Sequence, residues 1–258
     1  MFSLYGLELV AAGLLVGICV GLTGVGAGSL MAPLLILVFK VDPLVAIGSD
    51  LLYSAPTKLV GAFIHARQRT VDWQLTTNLS IGGIVGILLG WFIVQHFRNY
   101  EDPVALARTV RHWVGLAVLA SAVLTVASMY IFRMAWTNDT QPFKKIPVMI
   151  LGVFVGVTVM TTSVGAGAIT MPFLCLLLRS HKTQLLIGSD LAFSFVIATI
   201  AAALQYHLSN VNVGISAAML VGSVPGVIIG SRLTTRVPDW TLKLGVGLLL
   251  IVIGVRML

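Results

Sequence analysis

The sequence predicts an all-α polytopic membrane protein, and three observations carry that prediction. Of its 258 residues 58% are hydrophobic and only 10% charged, far below the quarter usual in soluble domains, and the mean hydropathy is +1.02. Apolar segments of spanning length follow one another, separated by short polar loops. Finally, one glycine-rich stretch, Thr23-Gly24-Val25-Gly26-Ala27-Gly28-Ser29-Leu30-Met31-Ala32-Pro33, returns as Thr162-Ser163-Val164-Gly165-Ala166-Gly167-Ala168-Ile169-Thr170-Met171-Pro172. Glycine at that density does not hold a helix, costing about 1 kcal/mol per residue relative to alanine. In hydrocarbon a broken helix persists only where its freed backbone groups face protein or a watery cavity. Matched breaks in two halves are a sequence pointer to a transporter's binding site.

The first apolar segment, Leu4 to Leu22, is followed by the glycine break and then by Ser29 to Phe39, which stops at Lys40-Val41-Asp42-Pro43. Together the two would be roughly 50 Å long, too much for a bilayer core of about 30 Å. They are therefore expected to fold back as a hairpin. Three spans follow, Pro43 to Ala66, Trp73 to Phe97 and His112 to Phe132, separated by the Arg67-Gln68-Arg69 and Arg98–Arg111 loops.

The second half repeats the plan. Val16–Pro33 aligns without gaps on Val155–Pro172, and Ile47-Gly48-Ser49-Asp50-Leu51 recurs unchanged as Ile187-Gly188-Ser189-Asp190-Leu191. Val71-Asp72 corresponds to Val211-Asn212, and Gly82, Gly86 and Gly90 to Gly222, Gly226 and Gly230. We read residues 1–133 as one transmembrane repeat, 146–258 as a second and 134–145 as the connecting loop. A hairpin crosses zero net times, so three further spans invert the second repeat relative to the first. The basic residues agree. Arg67, Arg69, Arg133, Lys144, Lys145, Arg179, Lys182, Arg232, Arg236 and Lys243 gather on one side, and Lys40, Arg98, Arg108, Arg111 and Arg256 on the other. The richer side is expected to be cytoplasmic, which places both termini outside. The Gly-xxx-Gly-xxx-Gly runs leave a smooth helix face for close packing, or for a seam along which the hairpin slides on a scaffold.

With the halves inverted, the two glycine turns enter from opposite faces and are expected to meet near the midplane. Each opens a half-helix, at Ser29 and at Ala168, whose first N–H groups lack an intrahelical partner and carry the positive end of the helix dipole. Two such ends aimed at one cavity make an anion site built from backbone. The expected binding residues are Thr23, Gly24, Gly26, Gly28, Ser29, Thr162, Ser163, Gly165, Gly167 and Thr170, with Lys58 as a cation facing the cavity. Lys58 lies mid-helix and corresponds to the apolar Ala198; the alternative for it is an ammonium that snorkels or pairs with an acid. Asp50 and Asp190 are candidates for proton coupling, or for accepting hydrogen bonds from nearby helix N-termini. His65 reads as interfacial.

Other chemistry finds little support. Ser29, His65 and Asp50 are the residue types of a hydrolase, but no spacing argues that they converge. There is no HExxH motif or Cys/His cluster, so neither metal nor cofactor is expected. Cys19 and Cys175 read as small core hydrophobes, and Met1–Glu8 lacks the basic start of a cleavable signal peptide. The net charge of +7 is scattered over short loops, so no nucleic-acid partner is expected. The expected partners are a small anion and the lipid bilayer, with a homodimer as an option.

Gly24–Pro33, Ala46–Leu51, Thr57-Lys-Leu-Val-Gly-Ala62, Val71-Asp-Trp73 and Gly222-Ser-Val-Pro-Gly-Val-Ile-Ile-Gly-Ser-Arg232 together resemble the TauE/SafE-type sulfite exporter family, also described as the TSUP or DUF81 permeases. The resemblance runs through both repeats in order. It implies a bacterial or archaeal inner-membrane carrier of small sulfur-containing anions, such as sulfite or sulfonates, or of organic acids.

Overall fold

A computed structural model describes residues 4–23, 28–100, 102–134, 145–178, 181, 183–233 and 239–258. Gly24, Val25, Gly26 and Ala27, and all of 135–144 in the expected connecting loop, lie outside the described residues. The described chain is helical: α1 (Leu4–Thr23), α2 (Gly28–Leu37), α3 (Pro43–Arg67), α4 (Trp73–Tyr100), α5 (Pro103–Met134), α6 (Lys145–Thr162), α7 (Thr170–Leu177), α8 (Thr183–His207), α9 (Val213–Leu233) and α10 (Asp239–Met257). Stretches of five of these, Trp73–Asn99, Pro103–Ala127, Lys145–Thr162, Gln184–His207 and Val213–Gly230, are long and apolar enough to cross a membrane.

Local chemistry sets the starts. Asp42 caps α3 by accepting hydrogen bonds from the N–H groups of Leu44 (2.9 Å) and Val45 (3.4 Å), and Pro43 occupies the first helical position, where its missing N–H costs nothing. Helix α5 begins at Pro103, nine residues before the expected His112, because the basic segment that reads as a loop continues the helix with Arg108 and Arg111 exposed. Helix α7 begins at Thr170, two residues after the expected Ala168, because Gly167 takes φ +88° and Gly165 φ +142°, neither of them helical.

The packing exchanges the halves pairwise. Helix α1 lies along α9 and α6 along α4, while α3 pairs with α8 and α5 with α10. The first two pairs run parallel: Gly82, Gly86 and Gly90 of α4 meet Met149, Val153 and Met160 of α6 in rising order, and Gly13 and Gly17 of α1 meet Met219 and Ser223 of α9. A Cβ at Gly82 or Gly222 would run into the main-chain carbonyl of Met149 or Val10. Backbone therefore rests on backbone in both seams, and the occupant of each glycine groove is the first helix of the other half's hairpin. The α3–α8 pair is antiparallel, with Gly61 against Leu191 and Gly188 against Thr70 and His65. So is α5–α10, with Gly115 against Met257 and Gly247 against Val126.

Candidate functional site

The repeated Ile-Gly-Ser-Asp-Leu motif locks the halves together and delivers a carboxylate to the interior. Each residue of its Gly-Ser-Asp centre has a separate task. Gly48 admits the carbonyl of Asn210 and Gly188 that of Thr70, where any side chain would collide. Ser49 Oγ accepts the N–H of Asn212 (2.9 Å), and the Ser216 hydroxyl donates to the Ser49 carbonyl (2.8 Å). The other half mirrors this, since Ser189 Oγ accepts the N–H of Asp72 (2.8 Å). Asp72 and Asn212 cap α4 and α9 by accepting from Leu75 and Ile215, and each serine satisfies the cap residue's own N–H, the group that the third helical residue's side chain meets in a capping box. With Gly and Ser held by the opposing turn, Asp50 and Asp190 are buried inside.

The glycine turn between α6 and α7 lies against both carboxylates. Ser163 (φ +60°), Gly165 (φ +142°) and Gly167 (φ +88°) reverse the chain, and Ser163, Val164, Ala166 and Ala168 are buried in protein, as broken backbone at membrane depth requires. Ser163 Oγ donates to Asp50 Oδ2 at 2.5 Å. Asp190 faces the Thr170 hydroxyl and the Gly167 N–H. Three amides that follow serve the turn itself: those of Ile169 and Thr170 reach the Gly165 carbonyl, and that of Met171 the Gly167 carbonyl. Thr162 is likewise spent locally, donating to the Thr158 carbonyl (2.6 Å) and accepting from the Val164 N–H (3.2 Å). In the first half, Thr23 ends α1, Gly28 opens α2 and Ser29 is buried in its first turn. Gly24 and Gly26 lie outside the described residues.

Lys58 stands between the two acids. Asp50 precedes it by eight residues on α3, about 12 Å along the axis. Asp190 adjoins Leu191, which packs on Gly61, about one turn beyond Lys58. The ammonium is buried and within electrostatic reach of both carboxylates. Among the described residues, Asp50, Lys58 and Asp190 are the only buried charged side chains.

The sequence pattern of the sulfite exporter TauE/SafE family matches residues 9–257. The chain belongs to the sulfite exporter TauE/SafE family. It is 31% identical over 255 residues to the probable membrane transporter protein YjnA of Bacillus subtilis, covering 97% of this chain and 99% of that one. A probable membrane transporter protein of Methanocaldococcus jannaschii is 22% identical over 97% of this chain and 94% of its own length. A second from Bacillus subtilis, YdhB, is 26% identical over 95% of this chain and 96% of its own length. No solved structure matches. The protein is thus a multi-pass membrane transporter of the TauE/SafE family.

The polar lining of this TauE/SafE chain breaks its internal symmetry. Lys58, Tyr53, Ser163 and Thr170 correspond to Ala198, Phe193, Gly24 and Met31, so these polar side chains have no polar counterparts in the other half. Tyr53, Ser54 and Ser194 also belong to this interior and were not singled out by the sequence. Tyr53 and Ser194 are buried with hydroxyls that find no hydrogen-bond partner among the described residues, and the Tyr53 hydroxyl lies toward Ser223 of α9. The signal was present: Ser54 and Ser194 each follow their aspartate by four residues, one helical turn on the same face. His65 is half-buried at the end of α3, its Nδ1 2.8 Å from Thr70 Oγ1, and it packs beside Gly188, two residues before Asp190. Two surface hollows of about 640 and 460 Å³ are lined mostly by apolar side chains, such as Leu89, Phe92 and Phe97 in one and Leu52, Leu59 and Phe195 in the other, and hold none of the three charged residues.

Proposed function

We propose that this TauE/SafE transporter carries a small sulfur-containing anion, with sulfite the leading candidate. Transport proceeds by alternating access between two inverted repeats, and the anion rests beside Lys58 and the glycine turn of Ser163–Ala168. The observation that carries the reading is the buried ammonium of Lys58 next to a turn whose backbone N–H, at Gly167, points inward. A buried cation beside amide and hydroxyl donors suits an oxyanion, which needs several donors and no acceptor, once the carboxylates that now hold those donors give them up. The pairwise exchange of helices and the antiparallel α3–α8 and α5–α10 pairs support the inverted arrangement, and the parallel glycine seams give the hairpins a smooth track against the opposite half. Asp50, Ser163, Asp190 and Thr170 complete the lining. A small sulfonate or carboxylate fits the same donors and is the second reading.

Purified protein in liposomes tests this. Sulfite flux above that of empty liposomes, saturable and competed by sulfoacetate more strongly than by chloride, is the expected result. Liposomes with protein that pass sulfite no faster than empty ones refute it.

A further inference from the structure

The charges at this site do not suit an anion as they stand. Asp50 and Asp190 contribute two negative charges and Lys58 one positive, so the fully ionised cluster carries −1. An approaching anion would then meet net repulsion inside protein, where screening is weak. Moreover, Asp190 already lies on the Gly167 N–H that an anion would use. Asp50 Oδ1 and Asp190 Oδ1 are buried and accept no hydrogen bond among the described residues, which leaves each carboxylate an oxygen ready to take a proton. Among the described residues no other charged side chain is buried to balance these three. The groups facing the acids are Lys58 and the Tyr53 phenol on α3, the Ser163 hydroxyl, the Thr170 hydroxyl on α7, and, beyond Tyr53, Ser223 on α9.

We propose that this transporter binds its anion together with one proton, held on Asp50 or Asp190, so that Lys58 is released from one acid to serve the anion. This rests on the anion reading above. The proton comes from water on the side of entry and bonds to a carboxylate oxygen, taking the cluster from −1 to 0. A singly charged anion, hydrogensulfite in the case of sulfite, then restores −1, and proton and anion leave together on the far side. The depth order suits the exchange, because the two acids lie on opposite sides of Lys58 along the α3–α8 pair and its ammonium has a partner toward either face.

The test is sulfite-induced infrared difference spectroscopy on the intact protein in lipid, with binding followed in parallel by thermal shift. Wild-type protein is expected to gain the C=O stretch of a protonated carboxylic acid as sulfite binds, at a pH where the free protein lacks it. Infrared detection reads the carboxyl itself, so protonation of sulfite does not confuse it. Asp50→Asn and Asp190→Asn each bring the ionised cluster to zero, so sulfite binding to either is expected to produce no such band. Wild-type sulfite binding without the band, with or without a requirement for sodium ions, overturns the proposal and leaves the anion reading standing. A band that persists in either variant also overturns it. If sulfite, sulfoacetate and acetate all fail to shift the melting of the wild type, the anion reading falls and this proposal with it.

Discussion

Replacing Lys58 by methionine separates the part this side chain plays in binding from its part in stability. Methionine keeps much of the stem volume and removes the charge. For an anion about 4 Å from the ammonium, an effective dielectric of about 20 puts the lost attraction near 4 kcal/mol. Desolvation of the anion and of the ammonium offsets much of this, so a net loss of about 1.5–3 kcal/mol is expected, a 10- to 100-fold rise in Kd for sulfite. The same substitution leaves two buried carboxylates without their shared cation, and breaking a buried ion pair by removing one partner costs about 3–5 kcal/mol. Lys58→Met is therefore expected to melt well below the wild type. The double variant Lys58→Met with Asp190→Asn returns the ionised cluster to −1, as in the wild type, and is expected to regain much of the thermal stability while still binding sulfite well below the wild type. Titrations of sulfite by thermal shift and by calorimetry in detergent read both effects. Wild-type sulfite affinity in Lys58→Met would remove the ammonium from the site. Wild-type affinity in the double variant would show that the ammonium itself does not hold the anion.

Three other outcomes follow from the same geometry. Ser49→Ala and Ser189→Ala each orphan one N–H at the start of a helix in the opposite half, at Asn212 and Asp72. Each is expected to lower unfolding stability by about 1 kcal/mol, and the pair to add within about 0.5 kcal/mol because the two caps sit at opposite ends of α3; strong coupling would mean that they are not independent. Gly165→Val meets a φ of +142° and the Thr158 hydroxyl 2.7 Å from the new Cβ, so sulfite binding is expected to vanish, whereas Thr162→Val, whose hydroxyl serves only nearby backbone, is expected to cost binding no more than about 1 kcal/mol. In a background with both native cysteines replaced, single cysteines at Gln68 and Ile146 are expected to react with an impermeant reagent from the cytoplasmic face and one at Ser209 from the other. Labelling of Gln68 and Ile146 from opposite faces would refute the parallel course of α4 and α6.

Much of this arrangement is legible in the sequence, and the exceptions share a cause. The glycine break, the paired halves and the isolated charges stand out because each violates what a hydrocarbon-spanning helix tolerates. The place where α7 resumes is less legible. Two glycines say that the helix breaks, but only the backbone angles of Gly165 and Gly167 say how far the break extends. The grooves of α4 and α9 are readable from Gly82, Gly86, Gly222 and Gly226, yet their occupants are not. Gly13, Gly17, Gly152 and Gly156 carry the same four-residue spacing, and pairing the two sets would have matched α1 to α9 and α6 to α4. Tyr53 is hidden for another reason, since an aromatic ring in an apolar helix reads as core until its hydroxyl is seen without a partner.

The Gly-Ser-Asp motif shows why symmetry in the chain did not translate into a symmetric site. Its glycine and serine act across the interface, each against the opposite half's turn, and that task is identical in both directions, so the residues stay identical. Its aspartate faces inward, into the buried interior between the two halves, and there the surroundings diverge. Asp50 is met by the Ser163 hydroxyl, whereas Asp190 is met by Thr170 and a backbone amide. A second lysine at position 198 would make the buried charges symmetric and raise the ionised cluster from −1 to 0. A neutral cluster would bind an anion without a proton, so the choice of Ala198 is what ties anion binding to protonation in this reading. Ala198→Lys is therefore the converse test. If it folds, it is expected to bind sulfite with no gain of the protonated-carboxyl band, and a band of wild-type intensity in that variant would refute the charge-balance argument.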